Sequence, residues 1–453
     1  MKSVVNYPRP ANTSRGWWRT AGVAASVAGA LVLLSTTGTA AFATSLTSLS
    51  KSHRSKGAKP VAITLWESHN GFPAGDAMTT LANRFNATHK SIKLSIVVTK
   101  ASTKLLAAIP TGTTPALAEI SHYDGVYVKP GALLSWNGFM KGSPVVNQSN
   151  FVPSGWTNGE VGGQHYRLQA SLKVSQVLYN ETMFRKAGIT SAPTTWTQLA
   201  ADAALIKAKL PGVIPLGWKN SSAHELPAFM SNGGTLLKGS NSVGTAVNFD
   251  TPAGVASFSY FRSLYAANEL QIHHGTTLRE DFGASKMAMI DGTSAGYTKA
   301  LAAVGGKFKV GAFVEPAGTT GHAANIAQGL GFVLPKGHSH AQDEAAWTFV
   351  QWWFEPAQQD YWAEQTGFAP ETRAAIAAMP KSFLANHPGM VASMQAALSP
   401  YTVPRPVSDS YNEVQAALDT EWFNAVTGKQ SVVAALKTLE QQGNGYMSGA
   451  SAI

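Results

Sequence analysis

The chain has 453 residues, of which 44% are hydrophobic, so it can bury a large core, and its length predicts two domains or one large two-lobed domain. Its formal net charge is +10, but residues 1–59 carry eight of the 35 basic residues and no acidic residue, which leaves 27 basic against 25 acidic residues beyond them. A body so close to neutral, without a stripe of lysine or arginine, argues against nucleic-acid binding, and the absence of cysteine excludes disulfides and thiol chemistry.

The N-terminus has the pattern of a secretory signal peptide. Basic residues up to Arg19 precede a long uncharged run whose apolar centre is GVAASVAGALVLL. We expect cleavage after the small-x-small site that ends at Ala43, so residues 1–43 are the predicted signal peptide and Thr44 the first mature residue. An uncleaved membrane-anchor helix is the alternative. Either way the body is expected outside the cytoplasmic membrane, and without cysteine it cannot be a cysteine-anchored lipoprotein.

The folded part is predicted to begin near Val61, after a serine-rich, basic and flexible tether at 44–59. The strand VAITLW is followed by apolar residues at i, i+3, i+4 and i+7 of a helix (Met78, Leu81, Ala82 and Phe85). A second strand, IKLSIVV, a helix at Thr103–Ile109 and a third strand, ALAEIS, complete a βαβαβ order, which predicts a parallel sheet. Ligands bind at the carboxyl edge of such sheets, where Trp66–Gly71 and Ser121–Asp124 lie.

Later segments continue the α/β pattern. SQVLYNETMFRKAG predicts a strand that leads into a helix ending at Gly188, and SAPTTW marks the start of another helix. FGASKMAMIDG and KFKVGAFVEP predict further strands, and the chain after GLGFVLPKG is expected to be mostly helical.

Two enzymatic alternatives arise from short motifs. GTSAG, residues 292–296, matches the G-x-S-x-G nucleophile elbow, so an exported serine hydrolase would use Ser294 with His387 and either Asp343 or Asp360. A glycosidase with Glu67 across a cleft from Glu225 or Asp291 also stays open. No histidine spacing matches a zinc site and no phosphate-binding loop motif occurs, so no metal and no cofactor is expected.

Aromatic residues at strand ends and turns favour binding over catalysis. Trp66, Trp218, Tyr297 and Phe368 occupy such positions, where a flat face can stack on a sugar ring while neighbouring polar groups bind its hydroxyls.

The order of motifs resembles the family 1 extracellular solute-binding proteins of ABC transporters over roughly residues 60–440. The segments that carry the resemblance are ITLWESHNG to LANRFNATH, TPALAEISHYDG, VLYNETMFRKAGI, APTTWTQL, MAMIDGTSAGY, GLGFVLPKG and AWTFVQWWFEPAQQDYWAEQTGFAP. Within the family, the chain is most similar to the subgroup that binds glycerol 3-phosphate and oligosaccharides. That subgroup commonly has tyrosine where this chain has Phe368, and Arg405 is a candidate cation for a phosphate.

The resemblance implies a two-lobed, periplasmic-binding-protein-like (Venus flytrap) α/β fold, in which each lobe is a sheet flanked by helices. The expected N-terminal lobe comprises 60–168 plus 293–333 and the C-terminal lobe 169–292 plus 334–453, with crossings near Arg167–Ser171, Asp291 and Leu334. A non-enzymatic, monomeric protein would close on a saccharide or glycerol derivative and deliver it to an ABC import permease. The implied cleft residues are Trp66, Glu67, His69, Asp124, Trp218, Asn232, Gly292, Thr293, Ser294, Gly329 and Phe368.

Overall fold

The computed structural model describes residues 59–71, 73–121, 124–240, 244–273, 277–408 and 410–448. The predicted signal peptide, 1–43, and residues 44–58 of the predicted tether lie outside the described residues. In chain order, the strands are β1 (Val61–Glu67), β2 (Ile92–Val98), β3 (Leu117–Ile120), β4 (Leu133–Leu134), β5 (Glu160–Val161), β6 (Gln164–His165), β7 (Arg167–Lys173), β8 (Ser175–Asn180), β9 (Ile214–Lys219), β10 (Leu270–His273), β11 (Met287–Thr293), β12 (Val310–Val314), β13 (Asn325–Pro335) and β14 (Thr402–Pro404).

Helices separate and follow these strands. In chain order, they are α1 (Ala74–Thr88), α2 (Ala101–Ala108), α3 (Asp124–Val128), α4 (Asn137–Met140), α5 (Pro153–Thr157), α6 (Glu181–Ala187), α7 (Trp196–Lys209), α8 (Ser222–Ser231), α9 (Pro252–Ala266), α10 (Thr277–Gly283), α11 (Ser294–Val304), α12 (His340–Trp353), α13 (Pro356–Thr366), α14 (Arg373–Ala378), α15 (Lys381–Leu384), α16 (Pro388–Leu398), α17 (Tyr411–Thr427) and α18 (Val432–Ser448). The strands and helices predicted between residues 61 and 120 are confirmed.

The first sheet has the strand order β14-β13-β3-β1-β2, and β4 and β7 also pair with β13. Strand β1 runs parallel to both β2 and β3, as the βαβαβ order predicted, whereas β13 is antiparallel to β3 and β7. Because β1 and β3 are parallel neighbours, their carboxyl ends lie at the same edge of the sheet. That edge carries the side chains of the candidate site.

The second sheet has the order β10-β9-β11-β8-β12. Strands β10, β9 and β11 are mutually parallel, and β8 pairs antiparallel with β11 and β12. Local sequence fixes several helix ends around it. The side chain of Asn180 accepts hydrogen bonds from the first turn of α6, and Gly188, at φ 86°, ends that helix as predicted.

Each sheet has its own aromatic core. In the first lobe, the predicted apolar face of α1 packs with Trp353 and Trp362 from α12 and α13 against β1 and β7. In the second lobe, Trp218 of β9 packs with Phe261 of α9 and Trp422 of α17. The C-terminal helices α17 and α18 therefore belong to the second lobe, while α12 and α13 belong to the first.

The predicted lobe boundaries are wrong at three segments. Residues 169–173 continue β7 in the first sheet, and 334–366 comprise the end of β13 and the helices of the first core. Residues 293–314, by contrast, comprise the end of β11, then α11 and β12, which belong to the second lobe. Periodicity locates strands, but the partner of each strand depends on contacts between distant segments.

The crossings predicted from the sequence shift accordingly. The chain passes to the second sheet between β7 and β8 and returns between β12 and β13, so the first crossing follows the predicted segment Arg167–Ser171 by only a few residues. The other two predictions are wrong: Asp291 pairs with Val177 inside the second sheet, and Leu334 pairs with Leu134 beside the first. Within the described ranges, no helix is both long and apolar enough to span a membrane.

Candidate functional site

The loop after β1 folds back onto the last residue of the strand. The side chain of Glu67 is fully buried, and its Oε2 atom accepts a hydrogen bond from the backbone N–H of His69. A carboxylate that binds a backbone amide two residues later closes a local turn. The turn directs the imidazole of His69 along the carboxyl edge of the first sheet, toward β3 and β7.

The imidazole of His69 meets a carboxylate and a hydroxyl at this edge. Its Nε2 atom lies 3.2 Å from Oε2 of Glu119, a fully buried residue of β3. Ser171 of β7 donates its hydroxyl to Oε1 of Glu119 at 2.9 Å and lies 3.4 Å from His69 Nε2. Strands β1, β3 and β7 thus bring His69, Glu119 and Ser171 into one polar cluster. We call these three residues and Glu67 the acidic wall.

Burial and charge shift the protonation of the acidic wall. Burial, reinforced by the nearby Glu119 carboxylate, raises the pKa of Glu67 to about 7. Burial opposes protonation of His69, but the charge of Glu119 and their hydrogen bond outweigh it and raise the pKa of the imidazole. A protonated His69 between two carboxyl groups is a hydrogen-bond donor, whereas the carboxyl oxygens accept, so the cluster can bind hydroxyl groups in either direction.

Two stacked aromatic rings lie beside the acidic wall. The rings of Trp362 and Phe368 are 5.8 Å apart and almost parallel, at 6°, and both contact His69 edge-on. Phe368 is half-buried and follows α13 at the turn where the sequence predicted it. Among the described residues, neither Trp362 Nε1 nor Glu67 Oε1 has a hydrogen-bond partner, although both atoms are buried.

Sequence reasoning placed Glu67, His69 and Phe368 at the cleft, and the structure brings these three together. It missed Glu119, Ser171 and Trp362. For Glu119 a signal existed, because a carboxylate inside the apolar strand ALAEIS is rarely buried without a partner. For Ser171 and Trp362 no local signal existed, since their role depends on which strands and helices become neighbours.

Gly329 affects the site through its backbone, because it lets β13 pack closely against β7 beside Ser171. It lies in β13 opposite Leu172, at φ 122°, next to the irregular register at Leu330 and Gly331. A Cβ atom there would lie 1.7 Å from the backbone oxygen of Ser171. Only glycine permits this approach of β13 to β7.

Cations from the crossing and the second lobe lie close to one another, and one of them also lies near the acidic wall. Lys173 ends β7, Lys219 ends β9, and Lys299 lies in α11 close enough to His69 to oppose its protonation. Burial and the neighbouring charges of Arg405, Lys219 and Lys299 lower the pKa of Lys173 to about 8. The turn after α13 meets the same helix, because Gly367 packs against the backbone of Ser294.

Several predicted site residues lie elsewhere. Trp218 is fully buried in the second-lobe core and does not line a cleft, because β9 is covered on both faces. Trp66 is nearly buried on the α2 side of the first sheet, where Lys104 lies over its ring. Asn232 ends α8 and accepts the backbone N–H of Thr319, which connects it to the segment between β12 and β13. Asp124 begins α3, and its side chain lies outside the described part.

The GTSAG motif forms a helix start without a catalytic triad. Thr293 caps α11 by accepting the N–H of Gly296, and the hydroxyl of Ser294 accepts the N–H of Val174 at the lobe crossing. His387 contacts the backbone of Phe383, and within the described ranges no hydrogen bond joins it to Ser294. In this structure Ser294 therefore connects the start of α11 to the lobe crossing; its predicted place in the cleft stays a prediction.

The candidates for glycosidase chemistry, Glu225 and Asp291, and the aromatic candidate Tyr297 all form contacts inside the second lobe. Glu225 is fully buried and accepts the N–H of Ser221, and Asp291 contacts His224. Tyr297 is buried, with its hydroxyl donated to the backbone of Val310. In the part of the chain that the structure describes, no group of three His, Asp or Glu side chains could hold a metal ion.

Comparisons with known proteins agree with this architecture. The sequence is similar to sn-glycerol-3-phosphate-binding periplasmic protein UgpB of Pectobacterium atrosepticum, at 23% identity over 85% of this chain and 91% of that protein. UgpB of Escherichia coli K12 is 22% identical over 84% of this chain and 91% of its own length.

Solved structures share the fold. The cyclic alpha-maltosyl-1,6-maltose binding protein of Arthrobacter globiformis matches with a TM-score of 0.73 and 22% identity, over 86% of this chain and all of that one. UgpB of Mycobacterium tuberculosis, solved in complex with glycerophosphocholine, matches with a TM-score of 0.72 and 18% identity, over 87% and 99% of the two chains. The family model for bacterial extracellular solute-binding proteins matches residues 80–392, more than half of the chain. The chain therefore belongs to the bacterial extracellular solute-binding protein family.

Proposed function

We propose that this protein binds a polar small molecule, a saccharide or a glycerol derivative, between its two lobes and delivers it to the permease of an ABC importer. The acidic wall carries this proposal: Glu119, His69 and Ser171 converge beside the stacked rings of Trp362 and Phe368. Fixed acceptors and donors next to an aromatic face suit a molecule with several hydroxyl groups on an apolar ring or chain. The similar proteins bind sugars or glycerol phosphates according to their names.

Closure of the lobes would complete the site. The acidic wall belongs to the first sheet, whereas Lys219 and Lys299 belong to the second lobe, and the chain links them through a few short connections. A solute that contacts both groups stabilises the arrangement in which they are close, and the closed form is what a permease would recognise. The protein would act outside the cytoplasmic membrane as a monomer, and it would release the solute chemically unchanged.

A thermal-shift screen of the secreted protein tests the proposal. The screen uses saccharides, polyols and glycerol phosphates, and a binding solute raises the melting temperature by an amount that grows with the logarithm of its concentration relative to its Kd. We expect at least one of these solutes to stabilise the wild-type protein and the exposed control variant Glu413→Gln, but to stabilise Glu119→Gln much less.

Two outcomes would contradict it. The first is the absence of a shift with every member of the panel. The second is turnover of an ester or glycoside substrate together with labelling of Ser294 by a fluorophosphonate, which would establish the hydrolase instead.

A further inference from the structure

A small cavity in the second lobe is lined mainly by basic and small residues. Its volume is about 120 Å³, roughly that of four water molecules. Three cations from three different elements line it: Lys173 at the end of β7, Lys219 at the end of β9, and Arg279 in α10. The cavity therefore lies where the crossing between the lobes meets the carboxyl edge of the second sheet.

The positive charge of this cavity is only partly balanced by the carboxylate that lines it. Its one carboxylate, Asp291, already accepts the backbone N–H of Lys219 at 3.1 Å and contacts the imidazole of His224. In the described part of the chain, no ion pair within 4.0 Å is formed by Lys173, Lys219 or Arg279. Three cations clustered around a single carboxylate are costly to bring together, because like charges in a partly buried site repel.

Further cations extend the positive region beyond the cavity. Lys299 and Arg405 lie close enough to Lys173 to disfavour its charged form. The body of the chain beyond residue 59 carries 27 basic and 25 acidic residues, so this concentration of charge does not follow from composition. An arrangement that destabilises the free protein calls for a ligand that offsets it.

The N-terminus of helix α11 adds partial positive charge to the cavity. Its first turn faces the cavity, since Thr293 and Gly296 line it. The helix has 11 residues, and its aligned peptide dipoles place partial positive charge at this end. The small side chains here let a ligand approach the backbone.

We propose that the cavity formed by Lys173, Lys219 and Arg279 at the start of α11 is a subsite for a phosphate group, so that the solute of this protein is a phosphorylated polyol or sugar. This inference rests on the proposed function, because it assigns one end of the solute to the second lobe. The acidic wall would bind the hydroxyl groups at the other end. A phosphate neutralises two of the three cations and presents acceptors in several directions, which a neutral sugar does not.

Calorimetry with matched pairs of probes tests the subsite. The pairs are glycerol 3-phosphate with glycerol, and glucose 6-phosphate with glucose; inorganic phosphate is a further probe, and all are titrated at low ionic strength near pH 7. For the wild-type protein we expect the phosphorylated member of at least one pair to bind at least tenfold more tightly than its neutral counterpart. The double variant K173M/K219M should lose this preference, and the control K209M, at an exposed position of α7, should keep it.

The variants should fold, because methionine keeps most of the lysine stem and removes a charge from a repulsive cluster. The single variant Lys219→Met, at an exposed strand end, repeats the test if the double variant is unstable. A wild-type protein that binds the neutral members as tightly, or a double variant that keeps the preference, would overturn the subsite. Binding of neutral saccharides with no gain from phosphate rejects this inference alone, whereas no binding by any saccharide, polyol or phosphate rejects the proposed function as well.

Discussion

The Nε2 atom of His69 lies 3.2 Å from Oε2 of Glu119, which joins the loop after β1 to the middle of the first sheet. Ser171 completes the contact from β7 through its hydrogen bond to the other oxygen of Glu119. The three side chains come from segments far apart in sequence, so the cluster forms only when β1, β3, β13 and β7 are all in place. It is a product of the fold rather than of a local motif.

The charge of Glu119 should control the protonation of His69. In Glu119→Gln, the hydroxyl of Ser171 keeps an acceptor but the imidazole loses its main stabilising charge, so burial should dominate and lower the pKa of His69. NMR titration of the His69 ring protons checks this against Glu413→Gln, an exposed control in α17. An unchanged His69 titration in Glu119→Gln would contradict the assigned role.

Glu67 should make the protein less stable as the pH rises. The folded-state pKa of Glu67 is about 7 and the ordinary value is 4.5, so between these values the folded protein binds more protons than the unfolded chain. The free energy of unfolding therefore falls from about pH 4.5 to pH 7. In Glu67→Gln this fall should shrink by roughly 2 kcal/mol, and the variant should be more stable than wild type at pH 8.

Urea denaturation at intervals between pH 4 and pH 8 measures this change. Glutamine preserves the acceptor for the His69 N–H, so the turn should survive. His69 contributes a fall of the same sign, because its pKa is also raised, and some slope should remain in the variant. Identical slopes for wild type and Glu67→Gln would show that the carboxyl group titrates normally.

Lys173 should have the opposite pH dependence. Its folded-state pKa is lowered to about 8 from 10.5, so the unfolded chain binds the extra proton and stability should rise as the pH increases from about 8 to 10.5. Lys173→Met should abolish this rise and be more stable than wild type at pH 7. Thermal melts across this pH range measure the rise, with the exposed variant Lys209→Met as the control that should keep it. A rise in stability that persists in Lys173→Met would contradict the prediction.

The aromatic face should contribute to affinity more than to folding at Phe368. Phe368 is half-buried, and its replacement by alanine removes the ring stacked on Trp362. We expect solute affinity to fall by about tenfold, equivalent to about 1.4 kcal/mol. Phe368→Tyr keeps the ring, and its affinity for the solute should stay within a few-fold of that of the wild-type protein. Calorimetry measures the affinities of both variants, and wild-type affinity in Phe368→Ala would contradict a role of the ring in binding.

Gly329 should be far less replaceable than a glycine with positive φ that lies in open space. A Cβ at 329 would overlap the backbone oxygen of Ser171, whereas Gly212, at φ 85°, has open space around it. Gly329→Ala should therefore cost about 3 kcal/mol or more and weaken solute binding, while Gly212→Ala should cost about 1 kcal/mol. Equal losses in urea denaturation would mean that backbone conformation alone explains Gly329.

Local patterns predicted the elements well and their partners poorly. The apolar spacing of α1 and the alternation of β1 and β2 follow from side-chain geometry, and these elements form as expected. The boundaries at 293–314 and 334–366 failed because pairing between distant strands has no local signature. The prediction for Trp218 was wrong for a related reason. A tryptophan at a strand end can face a cleft or a core, and the packing of α9 over β9 places Trp218 in the core.

The site was predictable only where chemistry and a strand edge coincided. Glu67 ends β1, His69 lies two residues later, and Phe368 lies in a recognisable turn. Glu119 was visible as a buried carboxylate, but its partners Ser171 and His69 lie 52 and 50 residues away. The cation cluster was invisible because each lysine alone resembles a solvated surface residue.

Isothermal titration of wild type and Glu119→Gln with the same saccharides, polyols and glycerol phosphates tests the central claim most directly. We predict saturable one-to-one binding of at least one of these solutes to the wild-type protein, weakened by about 10- to 100-fold in Glu119→Gln because a charged hydrogen-bond acceptor is lost. Absence of binding to wild type across the panel, or equal affinity for the two proteins, would contradict the assignment of the acidic wall as the solute site.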